Sequence, residues 1–364
     1  MLAVGADQLV IGASRLAFSR GTSPIVIGAL VIGFGTSAPE MLVSGLAAAD
    51  GDVDLGVGNI IGSNVANLSL VLGASALVAA VAVGGRFIRV ANSTLWREGV
   101  VSIAAALLFW LLVQDGLESW EGVILLAAFV LAMTAILRRP TRVASEVDLV
   151  RTEKPISQRS ELVRTEKPIS QRSELVRTEK PISQRSELVR TVAGLAATVV
   201  GAQMAVEGAV DIAHQVGLGS GFVGLSLVAF GTSLPELITG VQAARRGEAD
   251  LLVGNILGSN TFNSLLVSAV VALVGPGPLA DGNLSGLAVW IMVGISVSAW
   301  LLMFQGGGLE RWWEGAFLLA VYLASLPFLI SDDPDAAENG VPDIPAIEAV
   351  ALAPDADGIG ADSA

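Results

Sequence analysis

Residues 33–40 read G-F-G-T-S-A-P-E, and residues 229–236 read A-F-G-T-S-L-P-E. The first stretch leaves an apolar run, I-V-I-G-A-L-V-I, and returns to another, M-L-V-S-G-L-A-A-A. A run that oily reads as a membrane helix. A proline and a glutamate inside it need a reason. Proline has no N–H and frees a carbonyl about one turn upstream, near Gly35 and Gly231. Lipid tolerates such a carbonyl only where it is buried in protein or lines a polar cavity. A carboxylate at mid-bilayer costs roughly 2.5–3.5 kcal/mol on insertion scales. Each stretch therefore offers a kink, two hydroxyls and a carboxylate at one membrane depth.

The recurrence extends well beyond these eight residues. Shifting the chain by 196 positions superimposes Gly5-Ala6 on Gly201-Ala202 and Pro39-Glu40 on Pro235-Glu236. The same shift places Gly58-Asn59-Ile60 on Gly254-Asn255-Ile256, and Gly62-Ser63-Asn64 on Gly258-Ser259-Asn260. Asn67 falls on Asn263. Apolar runs place ten spans near 1–18, 24–49, 54–81, 96–113, 119–137, 192–214, 221–244, 250–274, 285–304 and 313–330. Five spans is an odd number, so the second half is expected upside down relative to the first. The fold class expected is an all-α integral membrane protein, ten transmembrane helices as two inverted five-helix repeats. Span one has four residues before its Gly-Ala pair where span six has about ten, so a longer natural first span is expected.

Composition supports a membrane class. The 364 residues are 53% hydrophobic and 15% charged, against about 25% charged in a soluble domain. There is no cysteine and a single histidine, His214. That excludes disulfides and thiolate metal sites and argues against zinc or Ser-His-Asp chemistry. No secretory leader stands apart from the first span. The net charge is −13, with most of the acidic excess after Ser331.

The organisation expected is a five-helix repeat over 1–137, a linker over 138–191, a second repeat over 192–330 and an acidic, disordered tail over 331–364. The linker repeats V-R-T-E-K-P-I-S-Q-R-S-E-L three times, at 150–162, 163–175 and 176–188. A polar repeat with one proline per copy cannot bury a core and reads as a flexible tether. With ten spans, all 21 Lys and Arg residues fall on one side, thirteen of them between Arg138 and Arg190. The positive-inside rule makes that side cytoplasmic and puts both termini outside. The location expected is the inner membrane, in contact with lipid and not with nucleic acid, with a monomer sufficient for function. All seven Trp residues fall in or beside spans four, five, nine and ten, where they read as interfacial anchors. Asp7 and Glu207 lack mirror partners at Gln203 and Ile11 and are left without a role.

In the span after each Pro-Glu, Ser63 and Asn67 are four residues apart, as are Ser259 and Asn263, so each pair shares a helix face. If the halves meet about a pseudo-two-fold axis, Glu40, Thr36, Ser37, Glu236, Thr232 and Ser233 converge with these four. The donors are hard oxygens, suited to Na⁺, Ca²⁺ or Mg²⁺. Two carboxylates balance one Ca²⁺ or two Na⁺, which gives exchange a physical basis. Taken singly, the glycines also serve helix packing, the hydroxyls also bond back to their own helix, and a buried Asn also joins helices.

These paired segments, G-T-S-A-P-E with G-N-I-I-G-S-N-V-A-N and G-T-S-L-P-E with G-N-I-L-G-S-N-T-F-N, resemble the two α-repeats of the sodium/calcium exchanger family. The resemblance implies Glu40 and Glu236 as shared ligands. It implies Na⁺ sites from Thr36, Thr232, the carbonyls of Gly33 and Ala229, and Ser63 and Ser259, with Asn67 and Asn263 lining the middle. It also implies that the first and sixth helices slide across the rest. Asn263 stands where the potassium-dependent branch carries Asp, so no K⁺ requirement is expected. Ca²⁺ and Na⁺ are then cargo, no organic cofactor is implied, and no enzyme activity is expected. H⁺/Ca²⁺ exchange, a gated cation channel and a Ca²⁺-binding sensor are the competing readings.

Overall fold

The computed structural model describes residues 1–82, 88–90, 92–137, 183–215, 229–306, 308–309 and 311–329. Most of the tandem copies, residues 221–228 and the acidic tail lie outside the described residues, as do the expectations that fall on them.

The described chain is helical apart from one short strand pair. In order, α1 is Leu2–Ser19, α2 Pro24–Thr36, α3 Ala38–Ala49, α4 Val53–Ala82, α5 Asn92–Leu112 and α6 Ser119–Leu137. Then come α7 Gln184–Gln215, α8 Ala229–Thr232, α9 Leu234–Arg246, α10 Ala249–Val274, α11 Leu284–Gln305 and α12 Trp312–Leu329. Strands β1, Ile88–Arg89, and β2, Gly308–Leu309, pair antiparallel. They tie the α4–α5 connection to the α11–α12 connection, a contact between loops that no apolar periodicity could announce.

Seven of the helices are long and apolar enough to cross a membrane, or eight with the bent pair α2–α3 counted as one. Helix α1 is not among them: its eighteen residues include Asp7, Gln8 and Arg15. The α8–α9 segment is short because its upstream portion lies outside the described residues. Burial sorts the helices into centre and rim. The apolar window of α10 is 83% buried and that of α4 61%, against 28% for α6 and α7 and 22% for α12. The rim helices present apolar side chains outward, among them Leu131, Val192 and Leu323, as a lipid-facing surface requires.

Small residues set the closest approaches. Helices α1 and α7 pair antiparallel through Gly5, Gly12, Gly194 and Gly201. A Cβ on Gly12 would lie 2.6 Å from Thr191 Oγ1, and one on Gly194 2.5 Å from the Leu9 nitrogen. Helix α2 lies against α10 in the same way: a Cβ on Gly258 would sit 2.6 Å from Ala29 Cα. Helix α7 starts at Gln184, although its apolar run begins only at 192. The end of the third 13-residue copy is thereby helical. It is fastened to α1 by Arg15–Glu187 at 3.5 Å and by the Gln184 amide donating to the Ser19 carbonyl at 3.1 Å.

The tryptophans also pair across helices. Trp96 and Trp300 have ring centroids 5.3 Å apart, and Trp110 and Trp290 4.5 Å apart, joining α5 to α11. Trp300 Nε1 donates to the Leu95 carbonyl at 2.9 Å. Trp96 and Trp290 are still about half exposed, so each packs one face on its partner.

Candidate ion site

The two G-T-S-x-P-E stretches break their helices in the same way. Ser37 (φ −84°, ψ 4°) separates α2 from α3, and Ser233 (φ −86°, ψ 4°) separates α8 from α9. A proline follows two residues later in each, in the first turn of the new helix, where a missing N–H costs nothing. The first break bends the chain by 44°. Glu40 and Glu236 each lie in the first turn beyond the break. That first turn has unpaired N–H groups and the positive end of the helix dipole, which favour a carboxylate there.

Helices α4 and α10 supply the facing wall. Along α4, Asn59, Ser63 and Asn67 recur every four residues, and Asn255, Ser259 and Asn263 do the same along α10. Both stripes end where the helix widens into a π turn, Asn67–Val71 and Phe262–Val267. Such turns shift the ladder by one residue and recur at functional sites.

The halves interlock at these residues. Thr36 Oγ1 of the first half lies 3.3 Å from Asn255 Oδ1 of the second, and Thr232 Oγ1 donates to Asn59 Oδ1 at 3.3 Å. These two contacts are mirror images under the 196-residue shift. Asn59 also donates to Ser44 Oγ at 2.9 Å and to the Glu40 carbonyl at 3.4 Å. The Gly33 carbonyl accepts from Ser259 Oγ at 3.3 Å. Ser37 Oγ donates to Glu236 Oε1 at 3.3 Å, a direct link from one half to the carboxylate of the other.

The structure thus brings together Gly33, Thr36, Ser37, Glu236 and Ser259, and places Glu40 beside Asn59. Ser63, Asn67, Ser233 and Asn263 are buried on the same elements. Ala229 opens α8, with its backbone alone described. Asn59 and Asn255 are site residues that sequence reasoning missed, although the i, i+4, i+8 spacing of each polar stripe carried the signal.

The polar groups here are in chemical deficit. Glu40 and Glu236 are 1% and 0% exposed. Both carboxylate oxygens of Glu40 and Oε2 of Glu236 have no hydrogen-bond partner among the described residues. The same holds for Ser63 Oγ, Ser233 Oγ and both amide atoms of Asn67 and Asn263. A buried carboxylate without partners is strongly disfavoured unless a cation or a proton compensates it. Among the described residues no three Asp, Glu or His side chains cluster, so the charge available is that of two carboxylates amid neutral oxygens. Neutral oxygens with few charges fit a hard cation that must also leave again.

Comparisons with known proteins agree with this chemistry. A family model described as sodium/calcium exchanger protein matches residues 1–138 and 186–331. CaxA of Alkalimonas amylolytica, a protein named as an antiporter, is 34% identical over 91% of this chain and 96% of its own length. Sodium/calcium exchanger MaX1 of Methanosarcina acetivorans is 30% identical over 90% and 95%. The solved sodium-calcium exchanger NCX_Mj, soaked with Na⁺ and Ca²⁺, superposes with a TM-score of 0.70 at 27% identity, covering 91% of this chain and 95% of that one.

Proposed function

The chain belongs to the sodium/calcium exchanger family, and we propose that it is a ten-span antiporter that exchanges Na⁺ for Ca²⁺ by alternating access. One observation carries the reading: a buried carboxylate from each half, that of Glu236 bonded by Ser37 of the other half, with three of four carboxylate oxygens lacking a protein partner among the described residues. Such a pair is costly as two bare anions and is neutralised equally well by one Ca²⁺ or by two Na⁺. That equivalence is what an exchanger needs, since either load satisfies the site and neither is trapped.

Glu40 and Glu236 hold Ca²⁺ between them. Thr36, Ser37, Thr232, Ser233, Ser63 and Ser259, with the carbonyls of Gly33 and Ala229, complete the shells of Na⁺ on either side. Asn67 and Asn263 line the middle with amide oxygens and no charge, so transport needs no K⁺. The ions are cargo, and no bond is made or broken. One chain supplies both half-sites, so a single copy suffices. The protein lies in the inner membrane with the basic linker on the cytoplasmic side.

Proteoliposomes loaded with Na⁺ and diluted into Na⁺-free buffer, with pH clamped on both sides, test this directly. Radiolabelled Ca²⁺ is expected to accumulate in proportion to the Na⁺ gradient, with or without K⁺. Uptake driven by a pH gradient alone would replace Na⁺ with H⁺ as the coupling ion. Uptake that stops without K⁺ would overturn the neutral role of Asn67 and Asn263, and unitary currents would indicate a channel.

A further inference from the structure

Asp7 is a carboxylate within an apolar helix, and the site chemistry makes no use of it. It lies two residues from Gly5 and two from Leu9, both of which face α7. At about 100° per residue it therefore points away from α7. There it meets Arg246, the last residue of α9, in a two-pronged pair: Nε to Oδ1 at 2.7 Å and Nη2 to Oδ2 at 2.7 Å. Both side chains are about 30% exposed. Fork-to-fork geometry of this kind is the strong, orientation-fixing form of the Arg–carboxylate bond.

The pair joins two bodies of different kind. On one side is the α1–α7 couple, locked face to face by its four glycines. On the other is α9, which carries Glu236 ten residues before Arg246, about 15 Å along the same rod. A displacement of α9 that moves Glu236 also moves Arg246, and Asp7 registers it.

The mirror position shows what the pair does. Under the 196-residue shift Asp7 corresponds to Gln203 and Arg246 to Asp50. The mirror-related pair thus has an amide and a carboxylate where this one has an ion pair. In a protein built from two matching halves, residues that match contribute alike to the two access states, and only residues that differ can favour one of them.

We infer that Asp7–Arg246 is a one-sided latch that biases the protein toward one of its two access states. The inference rests on the alternating-access reading above. Breaking the latch leaves the ion site intact and shifts the balance of states, so the apparent affinity for Ca²⁺ changes in opposite senses on the two faces.

The test uses the full-length chain in proteoliposomes, with KM for Ca²⁺ measured on each face in turn. Asp7→Asn and Arg246→Gln are each expected to raise KM about threefold to fivefold on one face and lower it on the other. The reversed pair, Asp7→Arg with Arg246→Asp, is expected to restore both values. Gln203→Arg sets an arginine opposite Asp50 at the mirror position, which favours the other access state, and is expected to shift both KM values in the same sense as Asp7→Asn. Equal weakening on both faces, or unmoved KM values in both Asp7→Asn and Gln203→Arg, would overturn the latch. A wild-type chain that exchanges no Ca²⁺ would instead contradict the alternating-access reading.

Discussion

Glu40 and Glu236, the two residues proposed to hold Ca²⁺, work against the fold for the same reason that they suit it. Each is buried with carboxylate oxygens that no described group satisfies, so each destabilises the ion-free protein. Replacing either with Gln removes a buried charge while keeping the shape. Glu40→Gln and Glu236→Gln are therefore expected to abolish Ca²⁺ exchange, a loss of at least about 100-fold, while the Tm in Ca²⁺-free detergent stays level or rises. Flux and a thermal melt on the same preparation check both halves of the statement, and robust exchange by either variant would contradict it. These two residues were plain in the sequence because a glutamate after a proline in an apolar run is too costly in lipid to persist without a ligand. Asn59 and Asn255 were harder to see. An asparagine in a G-N-I context looks like helix-to-helix glue, and it is the fold, through the Thr36–Asn255, Thr232–Asn59 and Asn59–Glu40 contacts, that brings them to these residues.

Among the elements, α7 touches both helix breaks. Leu195 presses on Gly35 and Val206 on Gly231, the glycines that open the two Thr-Ser pairs. Leu195 and Val206 are eleven residues apart, three turns and about 20° of rotation, and so lie on one face of the helix. One rim helix thereby crosses both breaks. A Cβ at Gly35 would collide with the Leu195 side chain, and the relief available is a shift of α7 or a new leucine rotamer. Gly35→Ala is expected to lower the turnover of Ca²⁺ exchange about tenfold with little change in KM, and Leu195→Ala on that background to recover most of it. A Gly35→Ala variant whose defect Leu195→Ala leaves untouched would show that the glycine matters for another reason. The helix breaks were legible from Pro39 and Pro235. The π turns at Asn67 and Phe262 were not, because one extra residue in a helical ladder leaves no mark on apolar spacing. The start of α7 was also hidden. Gln184, Arg185, Ser186 and Glu187 are polar, and what holds them helical is a pairing with α1 that depends on tertiary context.

For the whole molecule, the 196-residue shift pairs the two G-T-S-x-P-E stretches and the two polar stripes after them in one gap-free internal match. Where the halves differ, the mirror said nothing, and Asp7 found its partner only in the fold. The tandem copies now divide by position. The end of the third copy belongs to α7, while residues 150–175 hold two full copies upstream of it. Deleting 150–175 is expected to leave Na⁺-driven Ca²⁺ uptake within about twofold of the parent, since lengthening or shortening a tether costs little. Deleting 183–190 is expected to lower the Tm by several degrees, because Gln184 and Glu187 anchor α7 to α1. Equal tolerance of both deletions would show that the anchor contributes nothing.

The most direct measurement is anomalous diffraction from crystals of the protein equilibrated with Sr²⁺ in place of Ca²⁺ at low Na⁺. One dominant peak is expected between the carboxylates of Glu40 and Glu236, falling as Na⁺ is raised. A dominant peak elsewhere, or none between these two side chains at saturating Sr²⁺, would contradict the shared site.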